Sequence, residues 1–474
     1  MFEFMQKVRK DFVLAPTRSQ VYRAKRKAEI LIQGSLATQY AKLWDYADEL
    51  RRSNHGSTVV IDTEKSLNGG YMFRRIYICL AACRKGWLAA CRPIIGLDSC
   101  HTKGYHKCQL MWAIGIDSDN GYYPIAYGVV EKECYETWRW FLELLKIDLK
   151  LENPLRITFM TDRQKGLVEA IAVLWERCEH RNYVRHLYAN FKKRFRGDKI
   201  RYKIWQAARC SNVDDFNNVM EDIKGISESA WLWLSDKPAS AWTKSHFSEY
   251  SKCDMLLNNL CEFIMNWRAK RRADIKKWYD NVGPKVSEIM KLAAKNSREF
   301  VCHWGGEGNW QVSQDQIPIP VVDLEKHTCT CWRWNLIGIP CFHAMLAIYN
   351  KGEDPTTYVN KYYVKESMRM CYYDVLCGIR MERHWQRVDM PPLMPPKSVR
   401  QTGRPRKLRI REIGEIPPNA RKIVRFSKQY TCSTCKKQGH NSKSCAKRAH
   451  LQSKIKGKSG VGSLIFIIIV PLVV

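Results

Sequence analysis

The feature that most constrains this chain is the run of short apolar and β-branched stretches that begins at residue 71. "YMFRRIYICLAA", "PIIGLD", "QLMWAIGID" and "YYPIAYGVV" have the length and residue types of strands. An amphipathic "TWRWFLELLKIDL" follows, then "RITFMTD" and a helical "RQKGLVEAIAVLW". Several strands, followed by strand and helix in alternation, call for an α/β or α+β domain. Two of the apolar runs end on a carboxylate, Asp98 and Asp162. An acid in that position caps a turn or a helix in many proteins. Two of them can instead converge if their strands are neighbours in one sheet.

The flanking regions differ in character. Residues 19–52 carry apolar residues at mixed three and four spacing, which suits two amphipathic helices in an N-terminal region taken as 1–90. Residues 201–300 are helical in character, with Trp205, Trp231, Trp233 and Trp242 available for a helical core. Residues 386–425, rich in Pro and Arg, lack apolar periodicity and read as a linker.

Two Cys/His groups carry metal-ligand spacing. "CSTCKKQGHNSKSC" places Cys432, Cys435, His440 and Cys445 as C-x2-C-x4-H-x4-C, a zinc knuckle whose folding energy would come from the ion. Its lysines suit single-stranded nucleic acid. "HTCTCWRWNLIGIPCFHAML" places Cys329, Cys331, Cys341 and His343 as C-x-C-x9-C-x-H, with Gly338 and Pro340 turning the second pair toward the first. This spacing resembles the SWIM-type zinc finger. His327 is close enough in sequence to compete as a ligand. Gly403-Arg404-Pro405-Arg406 resembles an AT-hook core, in which Arg404 and Arg406 would lie along a narrow minor groove; a basic solvated linker is the alternative.

The 79 Lys+Arg against 47 Asp+Glu leave a formal charge of +32, which favours a polyanionic partner through counterion release. DNA is the first expectation. The opening "MFEFMQKVRKDF" lacks the apolar core of a secretory signal, so the 19 cysteines are expected as reduced thiols. The apolar stretch Leu464 to Val474 is too short for a bilayer, which takes about 20 residues, so no membrane is expected.

"RPIIGLDSCHTKG", "QLMWAIGIDSDNGYYPIAYGVVEKECYETWRWFLELL", "ITFMTDRQKGLVEAI", "EHRNYVRHLYANFKKRF" and "CDMLLNNLCE", followed by the two Cys/His groups, resemble in that order the plant Mutator-like transposases. The resemblance covers roughly residues 20–445. It implies a ribonuclease-H-like mixed-sheet core over 91–300 with a helical insertion at about 201–254, a SWIM finger at 310–350, the knuckle at 426–450 and a tail at 451–474. It implies a DDE triad of Asp98, Asp162 and Glu262 that would hold two Mg2+ or Mn2+ ions about 3.5–4 Å apart. Two structural zinc ions, a DNA partner, an oligomer if the enzyme is active, and a nuclear location follow from the same resemblance. Asp117 and Asp119 in "GIDSDNGYYP" fit a hairpin turn, and Glu131, Glu133 and Glu136 are expected to face solvent or cap the next helix. Trp242 packs in the core or touches flanking DNA.

Three departures from the family pattern bear on activity. Tyr183 stands where relatives carry a Cys three before His186, "FIMNWRAKRR" follows Glu262 at once, as after a deletion, and the upstream DNA-binding domain of intact relatives has no counterpart. The alternative expectation is therefore a catalytically inactive, domesticated or decayed transposase that keeps its zinc- and nucleic-acid-binding modules.

Overall fold

The computed structural model describes residues 35–66, 69–102, 108–162, 164–256, 267–314 and 317–396, with five isolated positions before 35. Glu262, Arg404, Arg406, the knuckle residues Cys432, Cys435, His440 and Cys445, and the apolar tail lie outside the described residues.

Seven strands, β1 (Thr58–Lys65), β2 (Tyr71–Cys79), β3 (Ile94–His101), β4 (Gln109–Ile116), β5 (Tyr122–Val130), β6 (Thr158–Thr161) and β7 (Glu179–Asn182), line up in the order β1-β2-β5-β4-β3-β6-β7. β1 through β3 pair antiparallel along that order, while β6 joins β3 and β7 joins β6 in parallel. The mixed sheet of the ribonuclease-H-like expectation is present. Every residue of β4, "QLMWAIGI", is buried, because both faces of this central strand are covered, and its sequence is accordingly a continuous apolar run.

Helices α1 (Leu36–Ala41) and α2 (Leu43–Ser53) precede the sheet, and α3 (Ala81–Ala90), α4 (Tyr135–Leu149) and α5 (Lys165–Leu174) cover it. α4 buries Trp138, Phe141, Leu142, Leu145 and Leu149, a three-and-four spacing that makes one apolar face. Phe141 lies over Gly128 of β5 on that side, whereas Trp87 of α3 lies over Gly115 of β4. The region before residue 91 is thus not only helical. "TVVIDTEK" and "YMFRRIYIC" extend the sheet by two strands, since β2 pairs with β5 and β1 pairs in turn with β2 through β-branched and aromatic residues.

After β7 come α6 (Val184–Phe191), α7 (Asp198–Arg209), α8 (Val213–Ile226) and α9 (Glu228–Ser235), then α10 (Trp267–Ile275) and α11 (Pro284–Ser297). Leu187, Phe191, Ile204, Ile223, Trp242 and Val286 build a second core among them. Trp242 is 1 % exposed with its ring 5.9 Å from that of Phe216, so core packing is its role. Buried Arg181 of β7 ties the end of the insertion to the sheet: it donates to the carbonyls of Cys253 (2.6 Å) and Ser248 (2.9 Å) and to Ser251 Oγ (3.0 Å). Its charge is matched by Glu179 at 2.9 Å.

A separate antiparallel sheet, ordered β11-β10-β9-β8, follows from β8 (Val301–Gly306), β9 (Asn309–Gln314), β10 (Ile317–Asp323) and β11 (Thr328–Cys329). α12 (Arg333–Ile337) and α13 (Phe342–Lys351) pack on it, and α14 (Lys365–Cys371) then returns to α3. The chain beyond α14 adds β12 (Leu393–Met394) in parallel to β2, so the start of the Pro- and Arg-rich stretch belongs to the first sheet. Buried Arg268 of α10 clamps this return, donating to Tyr123 Oη at 2.6 Å and to the carbonyls of Ala82 and Asp374, each at 3.0 Å.

Candidate functional site

β3 and β6 are neighbours in parallel register, Ile94 opposite Thr158, Ile95 opposite Phe159 and Gly96 opposite Met160. Two residues further in that register, Asp98 stands opposite Asp162. Each is two residues beyond the paired Gly96 and Met160, the period at which a strand returns to the same face, and the charge of Asp162 acts on Asp98. β3 itself continues to His101, but its partner β6 stops at Thr161, and burial along β3 falls away from Asp98 onward. The acid therefore sits where the sheet opens. Both aspartates are half-buried.

Their surroundings are electrostatically tense. Burial pushes the Asp98 carboxyl above the ordinary carboxylate range, and the charge of Asp162 adds to the rise; the Ser99 backbone N–H, donating at 2.9 Å, and His186 oppose it. Asp162 accepts the Gln164 N–H at 3.1 Å, at the start of α5. The N-termini of α4 and α5 meet at Gly166, where an added Cβ would stand 2.6 Å from the Tyr135 nitrogen and 3.0 Å from the Cys134 carbonyl carbon. That close approach brings Glu133, which precedes α4, beside Asp162. Burial pushes the Glu133 carboxyl up, the Ser99 hydrogen bond holds it down, and Asp162's charge raises it further. Trp138 Nε1 donates to Glu133 at 3.2 Å. The sequence reading expected Glu133 to face solvent or cap a helix; only the helix contact at Gly166 reveals its place. Ser99 and Asp98 alternate across the strand, so Glu133 reaches the pair around the strand ends. Behind Asp162, Thr161 Oγ1 and His180 Nε2 are 2.8 Å apart, and burial pushes His180 down to about 4.

The other acids of this region are structural. Fully buried Asp117 accepts the backbone N–H groups of Asp119 (3.0 Å) and Gly121 (2.6 Å) and the Tyr372 hydroxyl (2.9 Å). Asp119 accepts from Arg271 at 3.0 Å and from the Lys285 N–H at 2.8 Å. This is the hairpin turn read from "DSDNG", and it also anchors α10 and α11. Tyr183, three residues before exposed His186, is buried with its hydroxyl 3.3 Å from the Leu97 carbonyl.

The second site is a Cys/His centre. Cys329 leaves β11, Cys331 follows it, Cys341 caps α13 and His343 lies in that helix's first turn. All four donor atoms lie within 4.8 Å of one another, the only such group among the described residues. The sulfurs of Cys329 and Cys341 stand 3.7 Å and 3.9 Å from His343 Nδ1. Bond lengths of about 2.3 Å to sulfur and about 2.0 Å to nitrogen give tetrahedral edges of about 3.5–3.8 Å, so three thiolates and one imidazole here fit Zn2+. The turn between the pairs needs Gly338, whose φ is +71° and whose added Cβ would meet Asn360 Cβ at 2.6 Å. His327 does not join the centre. Its ring stacks on Trp334 at 5.3 Å.

A mixed sheet with a helical insertion, carboxylates at its open end and a closed Cys3His centre downstream define a transposase-like, zinc-binding protein. Residues 94–190 match the family model for the MULE transposase domain, and residues 301–352 match that for the SWIM zinc finger. The two matched segments follow one another in the chain, a transposase-type domain first and a zinc finger after it. No curated protein matches it in sequence. Among the described residues no helix is long and apolar enough to cross a membrane.

Proposed function

We propose that this protein is a Mutator-like DNA transposase, or a descendant of one, that binds DNA and acts on its phosphodiester backbone through Asp98, Asp162 and Glu262. The carrying observation is the parallel register that sets Asp98 beside Asp162 at the open end of the sheet, inside the matched transposase domain. Glu262 is the third member by resemblance. Leu256, whose carbonyl accepts the Val184 N–H at 3.0 Å, is anchored at the start of α6, the helix that carries His186.

Divalent Mg2+ or Mn2+ bound there would activate the attacking hydroxyl and stabilise the leaving oxygen. The protein's part is to hold acids whose repulsion is relieved when a cation binds, on strands too well packed to relax apart. The SWIM centre shapes the C-terminal module. The knuckle through Cys432, Cys435, His440 and Cys445, as a second zinc site, and Arg404 and Arg406 would add single-strand and minor-groove contacts. A nuclear location and an oligomer bridging two DNA ends belong to this reading.

The test is nicking of supercoiled DNA by the purified protein in Mg2+ or Mn2+. Wild type should nick and Asp98→Asn should not. DNA binding without metal-dependent nicking in the wild type would favour the inactive, regulatory descendant instead.

A further inference from the structure

The segment from Arg185 to Arg201 displays seven exposed basic side chains, Arg185, Lys192, Lys193, Arg194, Arg196, Lys199 and Arg201, against one acid, Asp198. Ordinary charged surfaces of this protein interleave the two signs: Lys203 pairs with Asp222 at 2.6 Å and Arg139 with Glu143 at 2.8 Å. Among the described residues, Lys193, Arg194, Arg196, Lys199 and Arg201 form no ion pair. So concentrated a charge sits between two anchored helices. α6 is pinned through Val184, Leu187 and Phe191, and α7 through Ile200, Ile204, Ala207 and Ala208, all buried.

The position of this tract matters more than its charge. It starts at the end of β7, where Tyr183, the residue before α6, donates its hydroxyl to the carbonyl of Leu97 at 3.3 Å, directly beside Asp98. Tyr202, 68 % exposed, stands at the far end beside Arg201. Arg185 lies on α6, Lys199 and Arg201 on α7, and Lys192, Lys193, Arg194 and Arg196 in the short connection between the two helices, where the charge is densest.

We propose that the 185–201 tract is a backbone track for duplex DNA that leads into the Asp98–Asp162 site, so that cleavage occurs a fixed distance from the phosphates it grips. This rests on the function proposed above and adds to it the surface and the form of the partner. The track reads phosphates, so it fixes position and contributes no base preference.

The experiment uses the full chain and a fluorescent duplex of random sequence, titrated across salt concentrations. A track variant, Lys192→Ala, Lys193→Ala, Arg194→Ala and Arg196→Ala, is compared with one neutralised elsewhere, Lys276→Ala, Lys291→Ala, Lys295→Ala and Arg298→Ala, also exposed positions. Each lost phosphate contact removes about 0.9 from the slope of log affinity against log salt. With four contacts removed, the track variant should lose about 3.6 units of slope and bind at least ~100-fold more weakly at 100 mM salt, with the control variant close to wild type. Restoring the charges as arginines should recover binding. Equal losses in both variants, or none in either, would overturn the track while leaving the proposed function in place. Wild type that does not bind duplex DNA at any salt would overturn both. Full duplex affinity in the track variant, with loss of binding to phosphatidylserine vesicles, would assign the tract to a lipid surface and reject DNA. Unchanged circular dichroism and zinc content in the variants keep misfolding separate from each outcome.

Discussion

Gly166→Ala should destabilise this protein, although the same change in a helix usually stabilises. Gly166 lies in the first turn of α5, where alanine's smaller conformational entropy loss favours the helix by about 0.5–1 kcal/mol. The new Cβ, however, would stand 2.6 Å from the Tyr135 nitrogen and 3.0 Å from the Cys134 carbonyl carbon. Both are backbone atoms at the start of α4, where Thr137 Oγ1 accepts the Cys134 N–H at 3.1 Å, so no side chain can rotate out of the way. Overpacking of this kind costs about 1–3 kcal/mol, which exceeds the propensity gain and leaves a net loss of about 1 kcal/mol. Gly225→Ala on α8 is the internal control, because nothing lies within 4 Å of its added Cβ and only the propensity term remains. Thermal melts followed by circular dichroism should show Gly166→Ala lower than wild type by a few degrees and Gly225→Ala unchanged or slightly higher. Since α5 follows Asp162 directly and α4 follows Glu133, metal-dependent nicking should fall in the first variant as well. A Gly166→Ala protein that melts at or above the wild-type temperature would refute the close contact between the two helix starts, and with it the placement of Glu133.

Glu133→Gln should raise the melting temperature of the metal-free protein near neutral pH. Burial and Asp162 place the Glu133 pKa above its unfolded value, so the ionised carboxylate costs stability that returns as pH falls through the raised pKa; a variant no more stable than wild type at neutral pH would contradict that. For His180 the sign is reversed. Its folded pKa, pushed down to about 4, lies below the model-peptide value of 6.5, so it contributes stability above pH 6.5 that is lost as pH falls toward 4, on the order of 3 kcal/mol in all. His180→Gln should flatten denaturation midpoints over that window by close to one proton, and an unaltered pH profile would reject burial as the cause. Elemental analysis should find two zinc ions per chain, falling to one in Cys341→Ser, whose SWIM module should lose its cooperative melt because structural zinc supplies about 10 kcal/mol or more; two zinc ions retained in that variant would rule Cys341 out as a ligand.

Much of the site was legible in one dimension because its causes are local. Strand-like runs identified β2 through β6, the C-x-C-x9-C-x-H spacing picked out all four residues of the Cys/His centre, and "DSDNG" announced the turn at Asp117. Each depends on neighbours within a few residues, where period, turn chemistry and ligand reach act directly. Asp98 and Asp162 stood out as acids ending apolar runs, but their juxtaposition is a matter of register between strands 64 positions apart, which no local pattern specifies. The tertiary structure alone decided that residues 58–79 widen the sheet and that α14 and β12 return to it, since both depend on which distant surface buries an amphipathic element. It alone decided that Glu133 shares the field of Asp162, through the absence of a Cβ at Gly166, and that the basic tract running from α6 through its connection into α7 starts beside the strand that carries Asp98. Sequence determined what each segment could do with its own neighbours; the packing of segments far apart in the chain determined which charges had to share a space.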